Sequence, residues 1–206
     1  MIVAQTSAHS INCEGQKNVV AAGDGIGYYW IMKFLKWLVI ALVAIIALLF
    51  AVSFILPSRV HVERSLSMAA SQEKVFAQVS NLRNWPAWSP WNLRDPEMKV
   101  QYEGPTEGAG QKSIWQSESQ GDGSQLITTS SPNSALETLL DFGSQGTATS
   151  FWKFSKEGEG TRVTWGMDVE LDSPMQRLFG VVMEGMIGPD YEEGLANLKL
   201  IVEAKP

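Results

Sequence analysis

Residues 161–203 read TRVTWGMDVELDSPMQRLFGVVMEGMIGPDYEEGLANLKLIVE, and this stretch contains two different periodicities. From Thr161 to Leu171, apolar and polar residues alternate, which is the pattern of a strand with one buried face. From Pro174 to Glu203 the spacing changes to three and four, which places apolar side chains on one face of a helix. Those side chains are Ile187, Tyr191, Leu195, Leu198 and Val202. The sequence therefore predicts a final strand followed by a long helix that covers a sheet.

Six further strand patterns precede this stretch, at residues 59–68, 98–102, 112–118, 125–130, 136–142 and 147–155. From residue 98 onward the connections are too short for parallel crossovers, so these strands must pair antiparallel. After the first strand, Ser71 is a suitable N-cap for a short helix that buries Val75, Phe76 and Val79. Two prolines in residues 84–91, NWPAWSPW, exclude a regular helix there and predict a compact plug. This order predicts an α+β fold with a concave space between a twisted sheet and its last helix.

The order of elements, the NWPAWSPW motif and the GPDYEEGLANLK motif at residues 188–199 resemble the START/Bet v 1-like (SRPBCC) helix-grip superfamily. The resemblance is to its bacterial polyketide cyclase/dehydrase-like family, and it extends from Arg59 to Val202. It implies a curved seven-stranded antiparallel sheet that is wrapped around a long C-terminal helix and encloses a ligand cavity. It does not imply a reaction, because the superfamily includes lipid carriers, hormone receptors, cyclases and chaperone cofactors.

A membrane segment is indicated from Trp37 to Leu56, WLVIALVAIIALLFAVSFIL, a run of twenty residues without a charge. That length allows a helix to cross the hydrocarbon core of a bilayer. A cleaved signal peptide is one alternative, with Ala51-Val52-Ser53 as its cleavage site, and a buried helix of a soluble protein is another. An uncleaved single-pass transmembrane anchor is favoured, because the apolar run continues beyond that cleavage site.

The chain is thus divided into a leader at residues 1–31, an anchor at residues 32–57 and a START/Bet v 1-like ligand-binding domain at residues 58–206. The leader is rich in Gly, Ser, Asn and Ala without periodicity, so we expect no regular structure up to Tyr29. Met32, which is followed closely by lysines, is an alternative start of translation. Lys33 and Lys36 favour an exported domain, on the periplasmic or extracellular side, although basic residues after the span nearly balance them.

Charge and reactive side chains argue against several classes of function. The formal net charge is −6 and no cluster of Lys or Arg is present, so nucleic acid is not expected as a partner. Cys13 is the only cysteine and lies in the leader, and His61 is the only histidine after the anchor. His61 is expected on an exposed strand face. We therefore expect no catalytic residues, no metal site and no cofactor. Residues 104–110, GPTEGAG, lack the GxxxxGK pattern and predict a hairpin.

The remaining candidate site is apolar and aromatic. Strand alternation places Ser113, Thr138 and Ser150 on the same face as many large apolar side chains. Hydroxyl groups among apolar side chains are typical of a small-molecule pocket, and a solid core is the alternative. Trp85, Trp88 and Trp91 are interpreted as a structural plug, with ligand stacking or membrane contact as alternatives. The candidate pocket wall consists of Trp115, Leu140, Phe142, Trp152, Phe154, Trp165, Met167, Met183, Ile187 and Tyr191.

The last helix contains residues that weaken a helix, namely Gly180, Gly185, Gly188, Pro189 and Gly194. Gly188-Pro189 predicts a kink or a break, and the missing side chains allow the sheet or a ligand to approach closely. We therefore hypothesise a gate at residues 179–191 at one end of the pocket.

Three functions agree with these patterns. The leading hypothesis is a membrane-anchored protein that binds a hydrophobic small molecule or lipid without catalysis. The second is an enzyme of the cyclase, dehydratase or isomerase type that acts on an apolar substrate. The third is an interaction module without a pocket, which docks another envelope protein through a sheet edge or a helix.

Overall fold

The computed structural model describes residues 24–204, with side chains from Tyr28 onward. The chain falls into two units, one that ends at Leu49 and one that begins at Phe50. The elements are α1 (Asp24–Ser53), β1 (Arg59–Met68), α2 (Gln72–Val79), a 3-10 helix (Leu82–Ala87), α3 (Pro90–Arg94), β2 (Lys99–Glu103), β3 (Lys112–Gln116), β4 (Gly123–Ser131), β5 (Ala135–Asp141), a second 3-10 helix (Gly143–Gln145), β6 (Thr147–Glu157), β7 (Gly160–Glu170) and α4 (Pro174–Glu203).

Helix α1 is long and apolar enough to cross a membrane over Tyr28–Ser53, a stretch of 26 residues. The side chains of this stretch are exposed up to Val52, whereas the core helix of a soluble protein is mostly buried. The length and composition of α1 suit a membrane span or a signal sequence. Because α1 begins at Asp24, the expectation of no regular structure is wrong for residues 24–29, and residues 1–23 lie outside the described residues. The helix ends at Ser53, before the predicted end of the span at Leu56.

The seven strands form one antiparallel sheet in the order β1-β7-β6-β5-β4-β3-β2. This order places β1 beside the last strand, and all other neighbours in the sheet are consecutive in the sequence. A register shift between Ile127 and Thr129 marks a bulge in β4, which increases the local twist of the sheet. The structure confirms the predicted seven-stranded antiparallel sheet with its long C-terminal helix.

Helix α4 is continuous from Pro174 to Glu203, as predicted. It begins with a capping box, in which the Ser173 hydroxyl accepts from the Gln176 backbone N–H and the Gln176 side chain accepts from the Ser173 N–H. Pro189 lies within the helix without ending it. Of the kink or break predicted at Gly188-Pro189, the break is therefore absent.

Glycines in α4 lie where the helix approaches its neighbours closely. A Cβ atom built on Gly194 would lie 2.7 Å from the Trp165 ring and 3.2 Å from Pro90. A Cβ atom on Gly180 would lie 2.5 Å from Leu171, and one on Gly188 would collide with the guanidinium group of Arg64. The sequence analysis left open whether the sheet or a ligand approaches these glycines. In the structure, side chains of the sheet and of neighbouring segments lie against them.

A densely packed region, here called the solid half, occupies the end of the domain where α2 and the C-terminal half of α4 meet the sheet. Helix α2 begins at Ser71, which accepts a hydrogen bond from the Lys74 N–H as predicted, and buries the three expected side chains. Phe76 packs edge-to-face on Phe154, with 5.5 Å between ring centroids. Fully buried members of the solid half are Val75, Val79, Trp88, Leu136, Trp152, Val163, Leu195, Leu198 and Val202.

The NWPAWSPW segment forms the predicted plug, here defined as residues 82–94, with a 3-10 helix followed by α3. Its indoles pack on those of the sheet, since the Trp85 ring lies 5.8 Å from Trp152 and the Trp88 ring lies 5.8 Å from Trp165. The Trp85 indole N–H donates to the Val79 carbonyl at 2.9 Å. These contacts support the structural interpretation of Trp85 and Trp88.

Candidate functional site

A cavity of about 190 Å³ lies between the sheet, the plug and the middle of α4. Among the predicted wall residues, those that line it are Trp115, Leu140, Phe142, Trp165, Met167, Ile187 and Tyr191. Strand β2, the β3–β4 connection and the plug contribute apolar and polar side chains that the sequence analysis did not place in the wall. They include Leu82, Trp85, Ser89, Trp91, Asn92, Met98, Val100, Tyr102 and Gln120.

Strand register explains why wall residues that are distant in the sequence meet at the cavity. Gln125 of β4 pairs with Leu140 of β5 on one side and with Ser113 of β3 on the other. Trp115 of β3 pairs with Val100 of β2. Because paired residues of antiparallel strands point to the same face, these side chains share one wall.

Three predicted wall residues do not reach the cavity. Trp152 and Phe154 point to the predicted face, but the plug and α2 cover them in the solid half. Met183 is half-buried against the core and lies outside the lining. Strand alternation therefore identified the correct face of the sheet. Which residues of that face line the cavity depends on the elements that cover each part of it.

Trp165 and Tyr191 form the boundary between the solid half and the cavity. Their rings are stacked at 4.1 Å between centroids, and Trp165 stacks in turn on Trp152 at 4.4 Å. The Trp165 indole N–H donates to Ser150 Oγ at 3.1 Å, and Ser150 Oγ donates to the Gly166 carbonyl at 3.0 Å. The Trp165 N–H and the Ser150 hydroxyl are thus satisfied within the domain.

Ser113 of β3 and Gln125 of β4 are here called the polar spot. Gln125 is 5% exposed, and its side-chain amide donates to the Thr138 hydroxyl at 3.2 Å. The Ser113 hydroxyl, in a residue that is 7% exposed, lines the cavity together with Gln125. A hydroxyl and a side-chain amide can each donate and accept hydrogen bonds, so the polar spot places hydrogen-bonding groups in the cavity wall.

The cavity wall contains no charged side chain and no histidine among the described residues. Burial raises the pKa of Tyr191 well above its usual value, so its phenol stays protonated at neutral pH. Burial also raises the pKa of Tyr102, against the opposing effect of the Arg83 guanidinium that lies over its ring. In the part of the chain that the structure describes, no cluster of three or more His, Cys, Asp or Glu suits a metal ion.

His61 lies on the other face of the sheet, away from the cavity and half exposed as predicted. Its Nδ1 atom is 2.9 Å from Asp168 Oδ1, and this hydrogen bond raises the pKa of the imidazole. Arg162 and Glu170 also point away from the cavity wall, as strand alternation predicted. This polar surface belongs to the solvated side of the sheet.

The mouth of the cavity is marked by lining residues that are exposed. Pro86 of the plug is an exposed lining residue, and Gln120 and Phe142 are two others. Gln120 and Phe142 follow β3 and β5, whose ends pair with the starts of β4 and β6. The register continues across β7 to the Arg59–Glu170 pair, where β1 begins. The part of the mouth beside Gln120 and Phe142 therefore lies at the end of the sheet where β1 begins.

The missed lining residues differ in how visible they were in the sequence. Met98, Val100 and Tyr102 alternate, so the same reasoning that located the other strands could have assigned them to the wall. Leu82, Ser89 and Asn92 belong to short helices with no periodic pattern. Only their packing in three dimensions places them at the cavity.

A twisted antiparallel sheet, closed by a C-terminal helix over an apolar cavity, defines the helix-grip class of ligand-binding domains. Residues 59–203 match the model of the family described as polyketide cyclase / dehydrase and lipid transport, and the chain belongs to that family. The resemblance inferred from the sequence is thereby confirmed. The search of curated proteins finds no match.

Several solved structures share this fold at low sequence identity. Protein CV1439 from Chromobacterium violaceum is 12% identical, with a TM-score of 0.53 over 72% of this chain and 99% of that chain. The di-domain ARO/CYC StfQ from the steffimycin biosynthetic pathway is 12% identical, with a TM-score of 0.56 over 70% of this chain and 51% of that chain. The Aha1 dimer from Colwellia psychrerythraea is 14% identical, with a TM-score of 0.50 over 70% of this chain and 96% of that chain. At these identities the likeness establishes the fold alone.

Proposed function

We propose that the protein binds a compact hydrophobic molecule with one hydrogen-bonding group, and that α1 keeps the binding domain at a membrane. The observation that carries this proposal is the polar spot within an apolar cavity. Ser113 and Gln125 are almost fully buried and contribute hydrogen-bonding capacity to the cavity wall. A guest with a hydroxyl or carbonyl group would use that capacity and bury its rings against Trp115 and Trp165.

The volume of the cavity limits the guest. Pockets for drug-sized ligands enclose roughly 300–1,000 Å³, whereas an engineered cavity of about 150 Å³ in another protein holds benzene. The cavity of about 190 Å³ in this domain therefore suits one or two rings. A membrane lipid would fit only after the plug or α4 moved, so a small molecule is the favoured guest.

Binding without catalysis agrees with the chemistry of the wall. General acid–base catalysis needs a group that exchanges a proton near neutral pH. The lining offers Tyr102 and Tyr191 as its titratable side chains, and burial raises the pKa of both. Each phenol therefore stays protonated at neutral pH, and the described lining residues offer no group that exchanges a proton there.

Anchoring assigns roles to the three segments of the chain. In this proposal residues 32–57 remain uncleaved in the membrane, residues 58–206 form the exported binding domain and residues 1–31 precede the anchor. Lys33 and Lys36 support this orientation through the preference of basic residues for the cytoplasmic side. A reporter enzyme that is active only after export, fused to the C-terminus of the full chain, should be active. Activity of a cytoplasm-specific reporter instead would contradict the exported orientation.

A pair of probes tests the binding proposal. 1-Naphthol and naphthalene share two fused rings and differ by one hydroxyl group. Titrated into the full chain in detergent micelles and followed by tryptophan fluorescence, 1-naphthol should bind more tightly than naphthalene. Gln125→Met should remove much of that preference, because it replaces the amide at nearly constant volume. Gln101→Met, at an exposed position of β2, is the matched control and should leave the preference intact.

Two results would contradict the proposal. Saturable binding of neither probe would mean that the cavity does not accept a guest of this class. Equal binding of both probes to the unmodified protein would mean that the polar spot has no part in recognition. Native mass spectrometry of the full chain isolated from membranes can then identify the natural guest.

A further inference from the structure

The first half of α4 carries an apolar surface that the rest of the domain does not cover. Met175, Phe179, Val182 and Met186 follow one another at intervals of four, three and four, so they lie on one side of the helix. Their exposed fractions are between 51% and 74%. We call these four residues the apolar stripe. Contiguous exposed apolar surface of this kind usually marks an interaction site.

The stripe begins close to the point where the chain leaves the proposed anchor. The Leu171 backbone N–H donates to the Ser58 carbonyl at 2.8 Å, and Gly180 packs against Leu171 and Val60. Leu56, the last residue of the apolar run, precedes Ser58 by two residues, or at most about 7 Å of extended chain. The covalent connection therefore keeps this part of α4 near the membrane.

The other end of α4 lies far from that point. Lys199 Nζ donates to the Ser67 carbonyl at 2.9 Å, and Glu203 accepts from the Ala69 backbone N–H at 2.6 Å. Ser67 is near the end of β1, and a strand of this length spans roughly 30 Å. Leu200, which is 73% exposed, is therefore an apolar residue of the same helix that lies remote from the anchor.

The charges around the stripe also agree with contact to a bilayer. Residues 174–189 contain Arg177 and Glu184 as their charged side chains. Arg177 Nε donates to the Leu171 carbonyl at 3.2 Å, and Glu184 lies 3.6 Å from the Arg64 guanidinium. Both charges have partners within the domain, so the side chains of the stripe itself present a neutral apolar surface.

We propose that the apolar stripe rests in the headgroup region of the bilayer that holds the anchor. This inference relies on the anchoring part of the proposed function. A helix with one exposed apolar side can lie in the membrane interface at a depth of about 5–10 Å. Tethering at Leu56 supplies a high local concentration of bilayer surface, so weak contacts of single side chains suffice. The part of the cavity mouth beside Gln120 and Phe142, at the same end of the sheet, then lies beside the membrane.

Depth-dependent quenching tests this contact in the full chain. Cys13, the only cysteine of the sequence, is replaced by serine, and an environment-sensitive fluorophore is attached after Phe179→Cys, Val182→Cys or Leu200→Cys. Each labelled protein is reconstituted into phosphatidylcholine vesicles with and without nitroxide-labelled lipids. Labels at positions 179 and 182 should show blue-shifted emission and lose most of their intensity to the nitroxides. The label at position 200 should remain unquenched.

Three results would overturn the inference. Labels at positions 179 and 182 that behave like the label at 200 would show that the stripe stays in water. Blue-shifted but unquenched labels would show that a protein, such as a second copy of the chain, covers the stripe instead. A label attached after Leu42→Cys within α1 should be quenched, and its failure would remove the anchor together with the stripe contact. Binding of 1-naphthol, measured separately, reports on the cavity alone.

Discussion

The two halves of α4 have similar lengths but opposite environments. In the C-terminal half, Tyr191, Leu195 and Leu198 are buried in the solid half of the domain. In the N-terminal half, Phe179 and Met186 are exposed. Packing against the core therefore stabilises the C-terminal half of the helix. The N-terminal half is stabilised by its cap, by close contacts at its glycines and by the ion pair between Arg64 and Glu184.

This difference extends to the sheet beneath the helix. Where α2 and the plug add a second layer, aromatic side chains such as Trp152 and Phe154 are fully covered and touch one another. Beyond Trp165 and Tyr191 that second layer thins, and the same face of the sheet borders a cavity. Stability and the proposed binding thus belong to different ends of one domain, which mutations at the two ends can test separately.

Removal of a large side chain from the solid half should have the greatest effect. Leu195→Ala removes a side chain that is 1% exposed, and a substitution of this kind costs about 2–5 kcal/mol of unfolding free energy. Ile187→Ala, which borders the existing cavity, should cost less than about 1.5 kcal/mol. Urea unfolding of the full chain in micelles, followed by tryptophan fluorescence, measures both. Equal losses would show that the two halves are packed alike.

Glycine substitutions should change stability in opposite directions. Gly194→Ala brings a methyl group against the Trp165 ring and Pro90, which have little freedom to move, and should cost about 1–3 kcal/mol. Gly185→Ala meets nothing within 4 Å and should stabilise the helix by about 0.5–1 kcal/mol. The same urea unfolding assay measures the change in unfolding free energy for both variants. Destabilisation by Gly185→Ala would mean that the N-terminal half of α4 is more crowded than the structure shows.

The sequence predicted the elements better than it predicted the cavity. Strand and helix periods are local properties, so β1 and α4 were placed at their observed bounds. The face of Trp152 and Phe154 was also correct, but their cover by α2 and the plug depends on contacts between distant residues. Lining residues such as Leu82 and Asn92 come from irregular segments, which carry no periodic signal.

The sequence likewise left open whether the sheet or a ligand approaches the glycines of α4. A glycine in a helix indicates that something approaches closely, but it does not identify what approaches. The structure shows that Gly188 accommodates the Arg64 side chain, which lies 2.7 Å from Glu192 and 3.6 Å from Glu184. Arg64 therefore forms ion pairs with α4 on both sides of Pro189, where a kink or break was expected.

Loss of the Arg64 ion pairs should increase local opening of the N-terminal half of α4 selectively. These ion pairs are partly exposed, so Arg64→Gln should cost about 0.5–1 kcal/mol of unfolding free energy. Hydrogen exchange should quicken at residues 179–187 and stay unchanged at residues 195–202. Arg162→Gln, which breaks an exposed pair with Glu157, is the matched control. Residues 179–191 as protected as the sheet in the unmodified protein would count against the predicted gate.

A change in pH should have the smallest effect. Asp168 raises the pKa of His61 in the folded protein, so the stabilisation is fully present below the unfolded pKa of about 6.5. It is lost as the pH rises through the higher folded value. Because His61 is half exposed, the contribution should be about 0.5 kcal/mol. Asp168→Asn should remove most of it, because Glu63 still raises the pKa of His61, whereas Asp172→Asn should leave it unchanged. Stability curves from pH 5 to pH 8 compare the two variants.

The central claim is that the cavity between the sheet, the plug and α4 accepts a guest. Filling the cavity with a side chain tests that claim most directly. Ser113→Phe places a ring in the cavity from the polar spot, whereas Ser155→Phe adds the same ring on the exposed face of β6. Titration of both full-length variants with 1-naphthol should show that Ser155→Phe binds like the unmodified protein and that Ser113→Phe has lost saturable binding. Equal binding by the two folded variants would contradict the account, because the guest would then lie outside this cavity.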